Sequence, residues 1–252
     1  MKKIILIPVL LWCLAGTVLA QENGFFNHMA AGVSAGTAGA GLELATTLGP
    51  SFQLRAGGSF MPPFSLTRTV SLPEHPGNIG SAKGKSVPVD AKATLHSPGL
   101  ELLVDYFPAG YELFHFTLGL LYGPRDVVKV TNTTPLPDDY NTAGLDVDDY
   151  IVRAVDNYIN GYIGVNSFRP YVGVGLGRAV RPEKVLSFTA DFGTAFWGKP
   201  GLYAPGEPLI GDWKDVRVTS EALEGKDQGL IGLAEKIIAY PMLNLHLFVR
   251  LF

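Results

Sequence analysis

Residues 243–252, LNLHLFVRLF, alternate strictly in character. Leu243, Leu245, Leu247, Val249 and Leu251 share one face of an extended strand, and Asn244, His246, Phe248, Arg250 and Phe252 share the other. Seven more stretches carry the same period of two. They begin at Asn27–Gly36 and continue with GLELATTL, SFQLRAGGSFM, GLELLVDYF, LFHFTLGLLY, FRPYVGVGLGR and VLSFTADFGTAFW. GLELLVDYF continues a strand that starts near Val87. Each stretch is close to the 9–11 residues of a membrane-crossing strand, whereas nothing after the first 20 residues has the roughly 20 apolar residues of a membrane-crossing helix.

The connections between these strands alternate in length. TLGP, PAGYE and AVRPEK follow the second, fourth and sixth strands, whereas the stretches after the third, fifth and seventh run over about 62–85, 123–160 and 198–239. Eight strands, an even number, with short turns at one end and long loops at the other predict an all-β fold. It is an eight-stranded antiparallel up-and-down transmembrane β-barrel with both termini on the periplasmic side. In the last long loop, DQGLIGLAEKIIAY sets Leu230, Leu233, Ala234 and Ile237 on one helical face ahead of Pro241, which predicts a short amphipathic helix.

A secreted sandwich or lipocalin-like barrel is the competing reading. Charge distribution weighs against it. The mixed faces carry Glu43, Arg55, Glu101, Asp105, Arg169, Asp191 and Arg250, and the opposite faces carry no charge. A soluble barrel places its polar face outside; a membrane barrel places it in the lumen. Tyr106, Tyr122, Phe196, Trp197 and Tyr240 fall near strand ends, where interfacial aromatic girdles sit.

The amino end adds a compartment. MKKIILIPVLLWCLAGTVLAQ has two lysines, an apolar run and small residues at Val18 and Ala20, the pattern of a secretory signal peptide over residues 1–20. Trp12 is too bulky to precede a lipoprotein cysteine at Cys13. Cleavage after Ala20 removes the single cysteine, so a disulfide scaffold is excluded for the barrel over 21–252. It also leaves 18 basic against 23 acidic residues, a formal charge of −5, with no basic stripe for nucleic acid.

RAGGSFMP, GLELLVDYFP, FRPYVGVGLGRA, FGTAFWGKP and YPMLNLHLFVRLF, in this order, resemble the outer-membrane β-barrel domain family, small eight-stranded bacterial barrels with a terminal aromatic assembly signal. The resemblance covers most of residues 27–252. It implies a bacterial outer-membrane location, with outer-membrane lipids, lipopolysaccharide and the barrel assembly machinery as partners, and Phe252 as the assembly signal. It implies no common ligand. Counted back from Phe252, alternate positions hold Arg250, His246 and Asn244, where the family's terminal signal is apolar.

Candidate chemistry is sparse. An eight-stranded barrel is just wide enough for side chains to fill its interior, so the seven charges are expected to pair as a lumen ion-pair network, with His115 and His246 beside them. A proton or solute path along the same groups is the alternative. His115, His246 and Ser187 have no spacing that fixes a catalytic geometry, and neither a metal-spaced cluster nor a phosphate-cradling loop is present. The acidic stretch 138–149 lacks the alternating ligands of a calcium hand. No cofactor is expected. These features point to a non-enzymatic barrel with a filled lumen, acting through its outer loops in binding, adhesion or envelope structure. The alternative is a narrow channel or transporter for small apolar solutes across the outer membrane, for which Gly173, Gly175 and Gly177 would leave room.

Overall fold

The computed structural model describes residues 25–74, 85–96, 98–108, 113–143, 145–147, 150–208, 214–218 and 238–252. Eight strands close into a barrel: β1 (Phe25–Gly36), β2 (Gly39–Leu48), β3 (Phe52–Phe60), β6 (Gly99–Tyr106), β7 (Phe114–Tyr122), β12 (Phe168–Leu176), β13 (Leu186–Phe196) and β16 (Ala239–Arg250). Neighbours are antiparallel, and β16 closes against β1 with Ala30 opposite Arg250 and Gly36 opposite Asn244. These are the eight strands the alternation predicts. The leader lies outside the described residues, as does nearly all of the amphipathic helix. The last two residues of that helix stretch, Ala239 and Tyr240, belong to β16. Among the described residues no helix is long and apolar enough to cross a membrane.

The barrel is apolar outside and polar inside. Leu42, Leu100, Leu118, Phe188, Phe192 and Leu247 all point outward, Leu118 with 65% of its surface exposed. Along the same strands Glu43, Arg55, Asp105, Thr117, His115, Asp191 and His246 are buried. No water-soluble barrel is stable with this polarity, because the outward apolar band is satisfied only by lipid.

The stretches read as long loops hold a second sheet. β4 (Phe64–Pro73) and β5 (Ser86–Leu95) form a hairpin; β8 (Asp126–Asn132), β9 (Leu145–Val147), β10 (Tyr150–Val152) and β11 (Asn160–Gly164) come from the middle loop, and β14 (Gly201–Pro208) and β15 (Lys214–Val218) from the last. Their order, β4-β5-β8-β11-β14, repeats that of the barrel strands β3-β6-β7-β12-β13 from which they continue. The wall therefore extends past the membrane on one side. Four of the five junctions contain proline, at Pro62 and Pro63, Pro98, Pro124 and Pro200, which removes a ladder donor and breaks the strand there. A single turn of helix, α1 (Asp139–Thr142), lies in the middle segment.

Above the junctions the polarity reverses. Leu95, Val128, Ile163, Leu202 and Val218 stand in register across five strands on the inner face. The adjacent row on the outer face is Thr94, Lys129, Tyr162, Tyr203 and Arg217. This half of the wall is built for water outside and an aliphatic interior, where Val89, Leu136, Tyr140 and Ala154 pack together.

Candidate functional site

The lumen is filled from the periplasmic end upward. The β12–β13 turn folds into the opening, where Gln53 donates from Nε2 to the Val180 carbonyl at 2.7 Å and accepts from the Ala179 amide at 3.2 Å. Val180 packs with Ala30, Ala45 and Phe248. Phe107 closes the neighbouring space, with the Arg178 guanidinium 4.4 Å above its ring.

Above this plug lies one connected set of charges. The Arg55 guanidinium, 1% exposed, meets Asp191 at 2.6 Å through Nη1 and Asp105 at 2.8 Å through Nε, with Glu43 at 3.7 Å. His246 stands between Glu43, 2.6 Å from Nδ1, and Asp191, 2.9 Å from Nε2. His115 reaches the second Asp191 oxygen at 2.8 Å and the Gly177 carbonyl at 3.0 Å. Thr117 donates to Asp105 at 2.8 Å. One guanidinium and two imidazoles thus face three carboxylates, an arrangement whose desolvation is offset only while every partner is present.

Of the seven charges expected to pair, Glu43, Arg55, Asp105 and Asp191 are brought together, and His115 and His246 join them. Three stand apart. Arg169 lies at the outer mouth and donates to the carbonyls of Asn166 at 2.8 Å and Pro124 at 2.5 Å, so among the described residues it has no carboxylate partner. Its place at the outer end of β12 explains this, because Asp191 on the neighbouring β13 stands opposite Gly175, deeper in the barrel. Glu101 lines the same mouth without an ion pair among the described residues. Arg250 sits at the periplasmic end of β16 opposite Ala30, again with no ion pair among the described residues. Phe252 is exposed just beyond β16, its carbonyl accepting from the Met29 amide at 3.2 Å.

The aromatic girdle also divides. Tyr106, Tyr122 and Phe196 are exposed on the outside. Trp197 and Tyr240 instead stack on each other at 5.2 Å and line the mouth, because they share parity with the inward residues Ala195 and Met242. Tyr240 donates to the Thr37 carbonyl at 2.8 Å.

Neighbouring side chains occupy the space beside the inward glycines Gly173 and Gly175. A methyl group on Gly173 would stand 2.7 Å from the Tyr171 hydroxyl, and one on Gly175 would collide with Asp191 and His115. They are small because large neighbours take their space. Gly175→Ala should therefore destabilise the barrel by about 1–3 kcal/mol through overpacking, read as a lower urea midpoint for unfolding in lipid; an unchanged midpoint would mean that room remains beside His115.

Sequence reasoning missed two cavities on the outer side. The mouth cavity, about 80 Å³ to the centres of water molecules, is bounded by Glu101, Arg169, Trp197, Tyr240, Met61 and Leu95. The upper one, about 290 Å³ on the same measure, lies inside the second sheet among Val70, Val89, Val130, Leu202, Ala204 and Val218. The alternation of apolar residues at 87, 89, 91, 93 and 95 was its signal in the sequence.

With lipid-facing aliphatics around a charged lumen, the chain has the build of an integral membrane β-barrel. No protein-family model matches the chain, and no curated protein sequence does. Among solved structures it is similar to CarO2 of Acinetobacter baumannii, at 16% identity over 90% of this chain and 100% of that one, with a TM-score of 0.49. It is similar to CarO of the same organism at 17% identity over 88% and 96%, with a TM-score of 0.45. A major outer membrane protein of Thermus thermophilus follows at 16% over 88% and 98%, with a TM-score of 0.42.

Proposed function

We propose that this barrel is a non-conducting, non-enzymatic anchor that presents its outer sheet as a binding module at the cell surface. The observation that carries the reading is the Arg55 layer, with Gln53 and Val180 beneath it. A water or ion crossing the lumen would have to part charge pairs that are buried on every side, and each such break leaves an uncompensated charge. The histidines are engaged by carboxylates, and Ser187 makes no hydrogen bond to either among the described residues, so the layer reads as structural. In this reading the outer sheet meets lipopolysaccharide and its ligand, while the exposed Leu251 and Phe252 end is what the assembly machinery recognises.

The purified barrel in a planar bilayer should show no steady ion conductance. Steady single-channel steps whose ion selectivity changes in an Asp191→Asn variant would replace the plugged lumen with a pore.

A further inference from the structure

The two outer cavities have no lining residue in common but lie along the same inner face of the wall. The register row that begins with Leu95 in the mouth cavity ends with Leu202 and Val218 in the upper one, passing Val128 and Ile163 on the way. On β5, Leu95 lines the lower cavity and Ala91 and Val89 the upper, a span of about 13–20 Å at the rise of a strand. That is the length of a long fatty acyl chain.

The linings differ in what they offer. The upper cavity has no charged residue among its described lining, and its one amide side chain is spent: Asn132 donates to the carbonyls of Thr134 at 2.8 Å and Asn157 at 2.9 Å and accepts from the Ile159 amide at 2.7 Å. Apolar cavities of this kind hold water poorly and take apolar guests. The mouth cavity contains Arg169, only 7% exposed and without a carboxylate among the described residues, and Glu101, also without an ion pair among them. Both stand in register with Leu121 on β7, Glu101 on one side and Arg169 on the other. The two backbones are therefore about 10 Å apart, and the groups do not meet across Leu121, because Arg169 is held by the Asn166 and Pro124 carbonyls while the Glu101 carboxyl leans toward Gly57 on β3; one head group can bridge that span.

Resting on the binding-module reading, we propose that the cavities form one site for a single-chain amphiphile with a zwitterionic head, a lysophospholipid by class. The hydrocarbon tail lies along the inner face of β5 in the upper cavity. The phosphate accepts from the Arg169 guanidinium, and the ammonium donates to the Glu101 carboxylate. A fatty acid satisfies Arg169 but leaves Glu101 without a cation, and an alkyl alcohol satisfies neither, so the site ranks these three by head group while holding the same tail.

The full chain, held in an amphipathic polymer after detergent removal, is titrated with radiolabelled palmitoyl lysophosphatidylethanolamine, with palmitic acid and hexadecanol as competitors. Saturable binding of one molecule per barrel is expected, with both competitors at least about tenfold weaker, a difference of about 1.4 kcal/mol. Arg169→Gln and Glu101→Gln should each lower the affinity for the zwitterion about tenfold while hexadecanol competes as before. Ala204→Phe, which fills the upper cavity, should abolish binding of all three. Each variant is first shown to be folded by its heat-modifiable mobility, and if Arg169→Gln fails that check, Glu101→Gln alone must show the tenfold loss. Equal affinity for the three heads, or undiminished binding by folded Ala204→Phe, overturns the site. Conductance of the same preparation separates the two readings: a silent barrel without head-group preference loses only this ligand, whereas a conducting one loses the plugged lumen as well.

Discussion

Arg55→Met should lower the stability of the inserted barrel by about 3–5 kcal/mol, enough to keep much of it from reaching the folded state. Among the described residues Arg55 is the only arginine in a buried layer with three carboxylates, and its guanidinium touches Asp105 and Asp191 within 2.8 Å. Its removal leaves those acids facing one another with only Thr117, His115 and His246 as partners among the described residues. Methionine matches the volume and the flexible stem, so the loss reports charge and not a hole. Urea unfolding in lipid vesicles measures it. Asp105→Asn added to Arg55→Met should restore part of the stability, because the variant then buries one negative charge fewer; a loss below about 1 kcal/mol in the single variant would show that water reaches the layer.

Leu247→Arg should cost about 2–4 kcal/mol for a position near the bilayer midplane. Leu247 is 46% exposed and flanked in register by Val33 and Phe188, both exposed, so all three sit in the lipid band. The informative partner is Thr67→Arg, at an exposed position of β4 above the proline junctions. There the outward face is wet, and the same substitution should stay within about 0.5 kcal/mol. Equal costs in parallel urea series would mean that the lipid band does not end at the junctions.

The barrel was legible in the sequence because a strand that faces lipid on one side and a lumen on the other must alternate at every residue, and eight such stretches survive without interruption. The inward or outward direction of each charge followed from parity alone. So did the directions of Trp197 and Tyr240, had they been counted with Ala195 and Met242 instead of with the strand ends. The second sheet was harder to read because prolines separate its strands from those of the barrel and β9, β10 and β11 run for only three to five residues. From β3 to β4 the apolar residues stay at even positions while the inward face changes from odd to even, so the reversal of faces leaves no mark in the alternation.

Pairing belonged to the tertiary structure. Arg55 stands in register beside Ala45 and Leu103, yet its guanidinium meets Asp191, 136 positions away, across the lumen. Parity says that a side chain enters the barrel; it does not say at what height or how far it reaches. Those depend on strand tilt and stagger, which are fixed only when β1 meets β16 and the sheet closes. Closure placed Glu43, Asp105 and Asp191 in one layer around Arg55 and left Arg169 and Glu101 above it, at the mouth of an aliphatic chamber made by residues from all three long connections. Alternation is a property of each strand and is written locally, whereas height in the barrel is a property of the closed ring.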